Sequence, residues 1–141
     1  MVLIDTDLKL EITLPKVPDI ELVAIQGLEK MGGYFGISED KIGEARVLVT
    51  EAIINGLEHS GGETPYVNVE FTMTKDKLII LVTDYGKGFD PESVPTPEIE
   101  NKLSSTNKRG WGLKLMKSMS DDLIIESKST GTKISIVKNL S

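Results

Sequence analysis

Cysteine is missing from all 141 residues. That absence excludes a disulfide framework, a cysteine zinc site and a thiol nucleophile. Positive charge is in deficit: 16 Lys and Arg face 22 Asp and Glu, for a net charge of −6 and a pI near 4.8. A nucleic acid partner needs a basic surface that neutralises phosphates. An anionic membrane surface asks for the same, so neither partner is expected. No apolar run reaches the roughly 20 residues of a membrane helix. The start, Met1 to Asp5, acquires charge early and lacks the basic stretch and long apolar core of a secretory signal. A soluble cytoplasmic protein is the expectation. Internal repeats and a second-domain boundary are also missing, so the length argues for a single domain over residues 1–141. A domain near that size buries roughly 68–70% of its unfolded surface, enough for a core without staples.

What is present is strong periodicity. Leu8, Leu10, Ile12 and Leu14 alternate with polar residues, which predicts a strand ended by Pro15 and Pro18. Ile20, Val23, Ala24, Leu28 and Met31 predict an amphipathic helix stopped at Gly32-Gly33. Ser38 is placed to cap a second helix, with Glu39 and Asp40 at its positive end. The apolar stripe of that helix is Ile42, Ala45, Val49, Ile53 and Leu57. Glu51, Asn55 and Glu58 fall on the opposite side, and Gly61-Gly62 ends the helix. Val67, Val69, Phe71 and Met73 alternate as a strand, and Lys75-Asp76 marks a hairpin turn. Leu78 to Val82 is apolar throughout, which predicts a central strand buried on both faces. Residues 91–109 are polar and carry Pro91, Pro95 and Pro97, without helical or strand period. A loop of that length is usually functional or disordered. Leu113, Leu115, Met116 and Met119 predict a short helix, and a last hairpin turns at Thr130-Gly131. Strands apolar mainly on one face, with about three helices, favour a two-layer α/β sandwich.

Four short motifs carry the chemistry. Glu51 and Asn55 stack one helical turn apart. An Asn oxygen can ligate Mg²⁺, which keeps waters and bridges phosphates. A neighbouring Glu can take a proton from an attacking hydroxyl. A solvated helix face is the plainer reading of the pair. Asp84 ends an apolar strand and is followed by Gly86 and Gly88. A hydrogen bond from an adenine amino group would justify the carboxylate, with the glycines letting backbone pass close to the base. A strand-to-turn exit is the alternative. Gly110-Trp111-Gly112 opens a helix whose exposed N–H groups make an anion site. Arg109 beside it is the better phosphate candidate, and Lys108 reads as surface charge. Gly131-Thr132 alone reads as a hairpin turn. His59, the one histidine, reads as a structural or C-capping group. The Walker pattern Gly-x-x-x-x-Gly-Lys-Ser/Thr does not occur.

In order and spacing the four motifs closely resemble those of the GHKL (Bergerat-fold) ATPases, the superfamily of gyrase, histidine kinases and MutL. Leu48 to His59 resembles the N box, the segment around Asp84 the first glycine box, Gly110 to Leu113 the second, and Gly131-Thr132 the last. The resemblance covers about residues 8–138. It implies a mixed sheet with helices on one face, a catalytic base at Glu51, and Asn55 as Mg²⁺ ligand. It further implies ATP contacts at Asn55, Asp84, Gly86, Gly88, Arg109, Gly110, Gly112, Leu113 and Thr132, with Thr132 near the adenine through its hydroxyl. Residues 91–109 become the ATP lid. Within the superfamily the chain looks most like bacterial anti-sigma-factor serine/threonine kinases. Those phosphorylate an anti-anti-sigma protein of the STAS fold and sequester a sigma factor, and the likeness suggests a homodimer. Trp111 departs from the pattern, being bulky where a small or polar residue is common. Two rival readings stand beside this one: a catalytically silent ATP-binding module, and a histidine-kinase-type catalytic domain acting in trans.

Overall fold

The alternating segment at the start forms β1 (Leu8–Pro15), and the chain turns away at its two prolines. The computed structural model describes residue 4 and residues 6–61, 65–86 and 108–141, without the side chains of 108–110. Helix α1 (Glu21–Phe35) runs through the expected stop at Gly32-Gly33. Gly32 serves packing instead, because a side chain there would overlap Ile42 of the next helix. The stop comes at Gly36, whose left-handed φ of 63° lets its N–H bond back to the carbonyls of Gly32 and Gly33.

Ser38 caps α2 (Glu39–His59) as expected, its Oγ accepting from the Lys41 N–H at 3.3 Å. The predicted stripe of Ile42, Ala45, Val49, Ile53 and Leu57 is buried. So are Leu48, Ala52, Asn55 and Gly56. A helix buried over so wide an arc needs a second neighbour, which is α3 (Lys108–Met119). The strands β2 (Tyr66–Met73), β3 (Lys77–Asp84), β4 (Asp122–Lys128) and β5 (Gly131–Asn139) complete the described elements.

The five strands form one sheet in the order β1-β2-β3-β5-β4. All four pairings are antiparallel, where the resemblance implied a mixed sheet. Short turns join β2 to β3 and β4 to β5, and such turns return the chain antiparallel to its neighbour. Val67, Val69, Phe71 and Met73 point inward from β2, Leu78, Ile80 and Val82 from β3, and Ile134 and Ile136 from β5. α1 covers β1 and β2, α2 covers β2, β3 and β5, and α3 meets β4, so the helices form a single layer. The apolar run Leu78–Val82 is central, yet it is not buried on both faces: Ile79 is 41% exposed. With one helical layer, the outward half of β3 meets solvent whatever its hydropathy. No described helix is long and apolar enough to cross a membrane.

Candidate active site

The chemistry gathers where the C-terminal half of α2 lies on the strand ends. Gly56 sets the approach: a side-chain carbon there would stand 3.0 Å from Val67 Cγ1 and 3.8 Å from Asp84 Cβ. Its neighbour Asn55 is therefore 5% exposed rather than on a wet helix face. The Asn55 Oδ1 is buried and has no hydrogen-bond partner. An unmet buried acceptor costs about 1–3 kcal/mol, so a native structure that keeps one calls for an occupant such as an ion or water. Among the described residues no cluster of three His, Cys, Asp or Glu forms a metal site. A cation here would take one protein oxygen and rely on phosphate and water for the rest, which suits Mg²⁺.

Glu51, one turn earlier, is half-buried. Burial pushes its carboxyl above the usual range, and the like charge of Glu58 adds to the shift. Its cover is α3. A side-chain carbon on Gly112 would lie 2.6 Å from Glu51 Oε2, so the helix rests on the carboxylate through a residue with no side chain.

Asp84 closes β3 at 2% exposure, level with Val67 on β2 and Thr132 on β5. Burial raises its carboxyl, while the Gly86 amide, the nearby His59 and the Thr132 amide pull the other way. The Gly86 N–H donates to Asp84 Oδ1 at 3.0 Å. Two backbone passes enclose this carboxylate. Any side chain on Gly86 would collide with the His59 carbonyl, and any on Gly131 with the Asp84 carbonyl. Gly131 also holds a φ of 148°, which L residues rarely adopt. Gly131-Thr132 is thus more than the hairpin turn read from its residues alone. The Thr132 hydroxyl pairs with Ser127 Oγ at 2.8 Å across the β4–β5 ladder.

The structure brings Glu51, Asn55 and Gly112 together, and Asp84, Gly86 and Thr132 together, with Gly56 bridging the groups. One expectation changes. Lys108 to Gly112 are already helical, so the glycines lie within the first turns of α3 instead of ahead of it. Leu113 is buried among the core residues with Met116. Gly88, residues 91–107 and the Arg109 side chain lie outside the described residues. Ser127 and Gly56 were missed. Ser127 could have been found by folding the last hairpin and reading what stands opposite Thr132. A depression on the uncovered sheet face, lined by Glu11, Thr13, Asn68 and Thr83 among others, touches none of these residues.

The histidine kinase-like ATPase domain family matches residues 18–138. The chain is 27% identical over 124 residues to the serine-protein kinase RsbW of Oceanobacillus iheyensis, covering 84% of this chain and 78% of that protein. To serine-protein kinase RsbW of Staphylococcus aureus it is 32% identical over 111 residues, covering 73% and 69%. A solved histidine kinase domain, from a blue-light activated kinase of Erythrobacter litoralis, aligns with a TM-score of 0.49 at 16% identity. That alignment covers 86% of this chain and 63% of the other.

Proposed function

The chain belongs to the histidine kinase-like ATPase domain family, and on that premise we propose that it is an ATP- and Mg²⁺-dependent serine/threonine protein kinase. The observation that carries the reading is the buried, unpartnered Asn55 Oδ1 one helical turn from the half-buried Glu51. Asn55 would hold the metal, which when bound neutralises phosphate charge. Asp84 accepts from the adenine amine, and Gly86 and Gly131 let the backbone close around that carboxylate. Glu51 faces the acceptor hydroxyl. As the hydroxyl oxygen bonds to the terminal phosphorus, the bond to the ADP oxygen breaks and the hydroxyl proton passes to Glu51. A carboxyl raised by burial is a stronger base than a solvated one, and base catalysis gains as its pKa nears the working pH. Phosphoryl transfer otherwise asks mainly for positioning and charge stabilisation.

The matched relatives named serine-protein kinase favour a serine over a histidine acceptor. We assign the chain the anti-sigma role implied by the resemblance. It would act in the cytoplasm as a single-domain homodimer that sequesters a sigma factor and phosphorylates a STAS-fold partner. The test is mass spectrometry of a co-purified partner after incubation with ATP and Mg²⁺. Acid-stable phosphate on a serine or threonine supports the reading. Acid-labile phosphate moves it to histidine transfer, and no phosphate on any bound partner leaves a silent nucleotide-binding module.

A further inference from the structure

Lys138 is an unusual residue for a sheet's inner face. It occupies a core-facing position of β5 and is 6% exposed, although lysine is almost never buried unless paired. Its partners come from two helices. The Nζ donates to the Met119 carbonyl at the end of α3, at 2.8 Å. It also forms an ion pair with Glu44 of α2 and holds that carboxyl below the usual range. Met119 is among the last residues of α3, whose carbonyls have no intrahelical donor. A cation is favoured there by the helix dipole.

The spacing gives this contact a consequence. Glu44 and Glu51 lie about two turns apart on one face of α2, and Met119 and Gly112 about two turns apart on α3. The two helices therefore meet through a pair of contacts separated by roughly 10 Å of helix axis. One is Glu44–Lys138–Met119, and the other is Gly112 on Glu51. Sliding α3 by one residue shifts it about 1.5 Å, enough to take Gly112 off the carboxylate and set a neighbouring side chain against it. The lysine of this contact is buried while Glu44 stays 40% exposed, and a buried polar group is best attested as a device that sets register.

We propose that Lys138 is a positioning residue: through the Met119 carbonyl and Glu44 it sets the register of α3 on α2 and so the seat of Gly112 over Glu51. The functional part rests on the kinase reading above. The register part does not.

The test uses the full chain as Lys138→Met, Lys138→Arg and Glu44→Gln. In Lys138→Met, amide hydrogen exchange across 113–119 should quicken about tenfold while 78–84 stays protected. Turnover at saturating ATP should fall about tenfold to a hundredfold, as small misplacements do. The adenosine dissociation constant should stay within about threefold, because Asp84 and Thr132 sit on strands, and a ligand without phosphates does not engage the contacts assigned to α3. Lys138→Arg should recover most of the turnover, since a guanidinium can donate to the same carbonyl. Unchanged exchange in α3 overturns the proposal. So does an equal loss of affinity and turnover, or an arginine variant no better than methionine. Should Lys138→Met not fold, Glu44→Gln decides: faster exchange across 113–119 supports the latch and parental exchange overturns it. If the parent phosphorylates nothing, exchange still decides the register while the kinase reading alone fails.

Discussion

Glu51 and Asp84 are both carboxylates raised by burial, yet they do opposite work. Glu51 is proposed to accept a proton, so Glu51→Gln should keep ADP affinity and lower transfer about 10²–10⁴-fold. Calorimetry and a single-turnover phosphotransfer assay separate the two, and a parental transfer rate would remove Glu51 from the base role. Asp84 is proposed to bind. Its raised folded pKa makes the native state hold the proton more tightly than the unfolded chain does. The stability tied to that proton is complete below the unfolded value, near 3.9, and is lost as pH rises through the folded value. At neutral pH the ionised side chain is therefore a cost. Asp84→Asn keeps an oxygen for the Gly86 N–H and should melt a few degrees higher at pH 7.5 without ligand, while losing ATP affinity. Melts at pH 5 and 7.5 check the sign: the gain should be larger at pH 7.5. A variant no more stable than the parent there would contradict it. The identity of these groups was readable from residue type and position. Their burial was not, because a helix face rich in Glu and Asn reads as wet until a later segment lies on it.

At the scale of elements, two glycines near the site should respond differently to alanine. At Gly112 the obstacle is the far end of the flexible Glu51 side chain, 2.6 Å from the new carbon. Alanine also favours a helix over glycine by about 1 kcal/mol. Gly112→Ala should thus fold at least as stably as the parent while displacing Glu51 and lowering transfer, measured by thermal melts beside turnover. At Gly86 the obstacle is the rigid His59 carbonyl. Gly86→Ala should cost about 2 kcal/mol or more by forced backbone movement, read from denaturant midpoints. A neutral result would mean that the Gly86 turn does not press on the end of α2. Element types and turns were legible from local period and breakers: β1, the cap at Ser38, the β2–β3 turn and the last hairpin stand where the pattern puts them. The failures share a cause. Gly32 reads as a breaker locally, but helix-on-helix contact uses it and the break waits for Gly36.

Across the described residues two costs stand close together, the orphaned Asn55 oxygen and the buried Asp84 carboxylate. Ligand that satisfies them should stabilise the entire fold. ATP with Mg²⁺ at 100 times its dissociation constant should add about 2.7 kcal/mol by mass action. Asn55→Ala should lose the Mg²⁺-dependent part of that gain, and a melt shift equal with and without Mg²⁺ would refute Asn55 as the metal's ligand. Composition, the order of elements and the four motifs were set by the sequence alone, because period, breakers and side-chain chemistry act over a few residues. What covers what was decided only in three dimensions. Nothing near Glu51 announces that Gly112, far along the chain, will cover it. Nothing in Leu78–Val82 counts the helical layers, so a run that looks doubly buried shows one face to water. Lys138 is held on the inner face only because α2 and α3 bring Glu44 and the Met119 carbonyl to it. Local sequence specifies which groups are available, and long-range packing specifies which of them lose water, which is what shifts a pKa, orphans an acceptor and makes a site.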